Sequence, residues 1–155
     1  MPNYPFAPRE TFEDILTYMP IPTFDLILYF PDKSVVVVKR TIEPYKNVWA
    51  LPGLRMFKTE SINDTIQRIA KQEVGISVDP NKKQFVGQFV GKFKTEQNRQ
   101  DISTCYALKL LDNQKIIINP EHFSRYKRTS DTPKPIGAMY KYYLERFFQT
   151  ASQYA

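Results

Sequence analysis

Two hydrophobic periods alternate along the chain, one near two residues and one near 3.6, and the switches between them divide it into strands and helices. Residues 11–18 place Phe12, Ile15 and Leu16 at helical spacing, and Pro20 and Pro22 stop that helix. Residues 23–30 (TFDLILYF) read as a strand, Pro31-Asp32-Lys33 as a turn, and residues 34–39 (SVVVVK) as a second strand, together a hairpin. Four consecutive valines predict burial on both faces of that second strand. Residues 48–51 form a short extended piece and 52–60 a loop. Residues 61–73 follow as a helix, opened by a capping box between Ser61 and Asp64 and stopped by Gly75. Strands are predicted near residues 84–93 and 102–111, with a short one at 116–118. Pro133 and Pro135 introduce a last helix whose stripe includes Ile136, Met139, Tyr140, Tyr143, Leu144, Phe147 and Phe148, the pattern of a core or subunit-interface face. Strands with interspersed helices predict a mixed-sheet α/β or α+β architecture, and residues 1–155 are read as a single domain.

Composition narrows the class. With 42% hydrophobic and 25% charged residues, the chain resembles an average globular protein, which argues against disorder. No apolar run reaches the roughly 18 residues of a membrane span. Residues 1–5 lack the basic-then-apolar pattern of a secretory leader, and the lone Cys105 excludes an internal disulfide; a reducing cytoplasm is the expected compartment. One cysteine and one histidine exclude zinc cages and HExxH sites. The net charge of +6 is compatible with phosphate-bearing partners or simply with solubility. Its one local concentration, Arg125-Tyr126-Lys127-Arg128, reads equally as a solvated face or a phosphate contact. No basic stripe with interleaved aromatics marks a nucleic-acid module.

Candidate chemistry concentrates between residues 51 and 76. On a helical wheel with Ile62 at zero, Ile66 falls near 40°, Ile69 near 340° and Ala70 near 80°. Glu73 falls near 20°, in the middle of this apolar stripe. A carboxylate there requires a partner or a cation, unless the helix frays before Gly75 and releases it to water.

Gly53, Glu60, Arg68, Glu73, Gly75 and Ile76 resemble the Nudix box, a loop-helix-loop that binds a divalent cation and a diphosphate. Its usual form is G, five residues, E, seven residues, then REUxEExGU, with U apolar. Here the first spacing is one residue longer, the second is kept, and Ile69 and Gln72 replace two helix carboxylates. The combination is similar to the GDP-mannose mannosyl hydrolase family, which cleaves the sugar carbon–oxygen bond, and the similarity spans roughly residues 10–128. The resemblance implies a Nudix-like α/β/α sandwich with a mixed sheet. It implies Mg2+ or Mn2+ held by Glu73 and the Gly53 carbonyl, a nucleoside diphosphate sugar as substrate, and a homodimer. It matches the family's strand aspartate to Asp25, its arginines to Arg40 and Arg55, and its strand tyrosine to Tyr106, giving Asp25, Arg40 and Arg55 catalytic roles and Arg40, Arg55 and Tyr106 substrate-binding ones. Glu60, Arg68 and Gly75 take structural places in the box.

Two departures bear on activity. The family's second loop glycine is Leu54 here, which puts a side chain beside the expected metal loop. The family also has a metal-ligating glutamine followed by a histidine base. Anchoring on Tyr126-Lys127 puts His122 in the ligand place and Phe123 in the base place; shifting by one puts Glu121 and His122 there. The expected function is Mg-dependent hydrolysis of a GDP-mannose-like nucleotide sugar, with water attacking the anomeric carbon. The alternatives are a catalytically weak or silent module binding a nucleotide sugar or a partner, and ordinary diphosphate cleavage.

Overall fold

A computed structural model describes residues 6–154, so the leader reading of residues 1–5 lies outside it. The elements in chain order are α1 (Arg9–Tyr18), β1 (Ile21–Tyr29), β2 (Val35–Arg40), β3 (Trp49–Ala50), β4 (Gly53–Arg55) and α2 (Ile62–Val74), then β5 (Gln84–Lys92), β6 (Gln100–Lys109), β7 (Phe123–Thr129) and α3 (Ala138–Gln149). The seven strands form one mixed sheet, ordered β3-β2-β1-β6-β5, with β4 on β1 and β7 on β2. With the helices it makes the expected α/β/α sandwich.

The sheet splits where the site lies. β1 and β2 meet only at the turn, at Tyr29↔Val35. Beyond it β1 pairs antiparallel with β4 from Thr23 to Asp25, while β2 turns to β7 and β3. On its other flank β1 runs parallel to β6 along its whole length. Val35 to Val38 are all fully buried, as the valine run predicts. α2 keeps its capping box, and Gly75 ends it at φ +69°, where a Cβ would come within 3.0 Å of Ile117.

Two element readings are corrected, and one strand is found where none was read. Residues 116–118 are not a strand: the Ile117 amide bonds to the Val74 carbonyl, clasping the end of α2 in place of a neighbouring strand. The loop read at 52–60 contains β4, too short to show a period. The basic run at residues 125–128 lies in β7, whose interior is exposed throughout and so shows no alternation. Pairing with β2 makes it a strand, and Lys39, Arg125 and Lys127 cover the indole of buried Trp49.

Candidate active site

The split in the sheet opens into a cleft of about 1020 Å³ lined by Asp25, Arg40, Gly53, Arg55, Glu73 and His122, among others. Six of the seven residues singled out for chemistry from the sequence therefore converge from five separate segments.

Glu73 keeps the position its phase on α2 demands, 1% exposed at the end of the helix. The helix does not fray there; the carboxylate has a partner. His122 Nδ1 lies 2.9 Å from both of its oxygens, and Asn119 Nδ2 donates to Oε1 at 3.3 Å. The loop carrying His122 is tied down at both ends, Asn119 N donating to the Glu73 carbonyl and Thr41 N to the His122 carbonyl. A carboxylate only accepts, so Nδ1 carries the proton and Nε2 is left as an acceptor. The hydrogen bond to Glu73 raises the His122 pKa above 6.5, against the effect of burial. It is His122, not exposed Glu121, that meets Glu73.

Asp25 sits on the cleft floor at 3% exposure. Ser103 Oγ donates to its Oδ2 at 2.5 Å, and Tyr143 Oη donates to Ser103 Oγ at 2.8 Å. Burial pushes the Asp25 carboxyl up to about 7, although Ser103 and the charge of Arg40 oppose the rise. Gly53 faces Asp25 across the β1–β4 pair, and a Cβ there would stand 2.2 Å from Asp25 Oδ1. Leu54 pairs with Phe24, packs partly against the core and also lines the cleft beside Gly53.

The arginines divide their labour. Arg40 spends part of its fork on its own loop, Nε donating to the Pro44 carbonyl at 2.6 Å and Nη2 to the Glu43 carbonyl at 3.3 Å. Arg55 lies over the rings of Phe6, Phe12 and Phe57 at 5.4, 4.4 and 5.3 Å, and burial lowers its pKa. Arg68 grips Glu60 through Nε and Nη2 at 2.7 and 2.8 Å, and Nη2 also donates to the Arg55 carbonyl at 2.7 Å. Glu60 Oε1 in turn accepts from the Phe57 amide at 2.7 Å, so this pair shapes the loop that presents Arg55.

Tyr106 is not brought into the cleft. It pairs with Leu26 in register, on the face opposite Asp101, Ser103 and Cys105, and contacts Phe24 and Phe85. Strand parity decides this. Ser103, Asp101, Thr23 and Tyr143 escaped the sequence reading; Tyr143 was absorbed into an apolar stripe, and the others carry no local signal.

Magnesium favours oxygen ligands and commonly combines one or two carboxylates with waters and phosphate oxygens. The donors here fit that partial role. Glu73 is the one box carboxylate on its stretch of α2, and among the described residues no three His, Cys, Asp or Glu side chains form a metal-holding group.

The comparisons with known proteins agree with this fold. The NUDIX domain family matches residues 19–134. The chain is 31% identical over 120 residues to the low-salt glycan biosynthesis protein Agl8 of Haloferax volcanii, covering 74% of each. Its fold is similar to a MutT NUDIX hydrolase from Burkholderia pseudomallei, with TM-score 0.73, 16% identity, and 83% and 98% of the two chains covered. It is also similar to the NUDIX domain of Shewanella oneidensis NrtR complexed with ADP ribose, with TM-score 0.57, 20% identity, and 70% and 71% covered. On the family match and on the Gly53-to-Gly75 box seated in its cleft, this chain belongs to the NUDIX domain family.

Proposed function

We propose that the protein hydrolyses a nucleoside diphosphate sugar, with GDP-mannose the first candidate, by water attack at the anomeric carbon and departure of the nucleoside diphosphate. The observation that carries this reading is the Glu73–His122 pair opening into the same cleft as buried Asp25. A helix with one box carboxylate suits a reaction that leaves the diphosphate bond intact better than one that breaks it. The glycan biosynthesis relative and the ADP ribose bound to a Nudix domain support a nucleotide-sugar ligand.

In this mechanism His122 accepts the proton of the attacking water at Nε2, oriented by its bond to Glu73. Asp25, when ionised, faces the positive charge that develops at the anomeric carbon. The donors of Arg40 not used by its loop, together with those of Arg55, stabilise the departing diphosphate. Glu73 and the Gly53 carbonyl would hold Mg2+ or Mn2+, and a bound ion would supply neutralisation of diphosphate charge. Assembly as a homodimer in the cytoplasm completes the proposal, and sedimentation of the purified chain tests the dimer.

A second reading is favoured by one observation: both Glu73 oxygens already face His122, which competes with a cation and suits a binding module of low activity. Incubation of GDP-mannose and ADP-ribose with magnesium, followed by chromatography of the products, separates the readings. Free mannose with GDP is the expected outcome; ADP-ribose, joined to its diphosphate through the ribose C5 oxygen and not the anomeric carbon, should not release ribose and ADP. Sugar phosphate with nucleoside monophosphate would show diphosphate cleavage, and binding without turnover would show the silent module.

A further inference from the structure

The floor of the cleft holds polar groups that the chain itself leaves unsatisfied. Thr23 is 8% exposed, and its Oγ1 is buried without a hydrogen-bond partner. Tyr140 is 4% exposed; among the described residues its hydroxyl makes no hydrogen bond, whereas Tyr143, one turn later on α3, is bound to Ser103. Asp101 is 4% exposed and gives Oδ1 to Arg99 at 2.6 Å, which leaves Oδ2 free of side-chain donors. Buried polar groups are almost always paired, so the orphaned Thr23 Oγ1, with the unbonded Tyr140 hydroxyl and the Asp101 carboxylate lining the cleft beside it, marks a place where something else supplies the partners.

These groups share one surface. The β1–β6 register sets Ile21 beside Asp101 and Thr23 beside Ser103, so Thr23, Asp25, Asp101 and Ser103 fall on one face of the sheet. The Tyr143–Ser103 bond seats α3 on that face, and Tyr140 comes one turn earlier on the helix. Thr23, Asp25, Asp101 and Tyr140 all line the same cleft.

The donor and acceptor pattern selects the occupant. Two carboxylates at the floor repel a diphosphate, which the arginines attract instead. A polyhydroxylated ring suits the floor, because each sugar hydroxyl donates to a carboxylate and accepts from a tyrosine or threonine hydroxyl. Resting on the nucleotide-sugar reading above, we propose that Thr23, Asp101 and Tyr140 form the sugar subsite and set glycosyl specificity. Arg99 is a positioning residue that fixes Asp101, and is itself held by Glu96 at 3.2 Å.

Isothermal titration with magnesium present tests this, using two matched probe pairs: GDP-mannose against GDP, and ADP-ribose against ADP. The wild type is expected to bind a sugar nucleotide more tightly than its matched diphosphate. Tyr140→Phe, Thr23→Val and Asp101→Asn should each weaken sugar-nucleotide binding about five- to tenfold while leaving the diphosphate affinity within about twofold. The first two changes are nearly isosteric, so their effect is not a folding defect. Arg99→Met should show the same selective loss and add nothing further in the Asp101→Asn background. A wild-type preference that survives in all three single variants would overturn the subsite and leave the substrate reading intact. A wild type that binds neither sugar nucleotide better than its diphosphate would overturn both.

Discussion

Glu73 shows how one side chain connects the helix to the chemistry. An isolated buried carboxylate costs several kcal/mol, and the structure offsets this with His122 and Asn119. His122→Asn keeps a donor near the carboxylate but removes the ring nitrogen that accepts the water proton. Turnover of the nucleotide sugar should fall about 10²- to 10⁴-fold with GDP affinity retained; an unchanged rate would remove His122 from the chemistry. Glu60 gives a separate test of the loop. Burial alone would raise its pKa, but the Arg68 fork and the Phe57 amide outweigh it and hold the value below 4.5. A carboxylate with a lowered folded pKa stabilises fully above its unfolded value and loses that stabilisation as pH falls through the folded one. Glu60→Gln should therefore destabilise the protein at pH 7 by about 1–3 kcal/mol, with the gap to wild type closing below pH 4.5. Urea unfolding at several pH values measures it, and a gap that stays constant into acid would mean that the pair does not contribute.

At the scale of elements, β4 sets the width of the site. Its three residues pair with β1 so closely that Gly53 has Asp25 Oδ1 at 2.2 Å and the Phe24 carbonyl at 2.7 Å from where a Cβ would stand. Gly53→Ala must push the strands apart, and overpacking of this kind costs about 1–3 kcal/mol. Thermal unfolding should show that loss, together with weaker nucleotide binding because Arg55 ends the same strand; full stability would mean the pair yields freely. The α2 helix was legible in the sequence because its period, capping box and terminal glycine are all local features. The β7 strand was not, because a strand exposed on both faces carries no alternation and exists through β2 alone.

For the whole molecule, the cleft is lined from β1, β2, β4, α2 and the loop of His122, so a ligand bound there bridges all of them. A ligand bound only by the folded state stabilises it by about 2.7 kcal/mol at a hundredfold excess over Kd. With about 2–4 °C per kcal/mol for a chain of this size, a saturating sugar nucleotide with magnesium should raise Tm by about 5–10 °C. Calorimetry showing no rise would mean that the folded protein does not bind the sugar nucleotide.

The sequence by itself determined the spacing of the box, the phase that puts Glu73 on the buried stripe of α2, and the double burial of the valine strand, because each of these follows from the periodicity of a local run. Tertiary structure alone decided the pairings. Glu73 meets His122 across 49 positions and Asp25 meets Ser103 across 78, and neither separation leaves a trace in local spacing. Tyr106 went to the far face by strand parity, and Tyr143 bonds Ser103 while Tyr140 lines the cleft, from a helix whose stripe reads as a core face. A periodicity says which residues are inside; only the path of the strands says which of them meet.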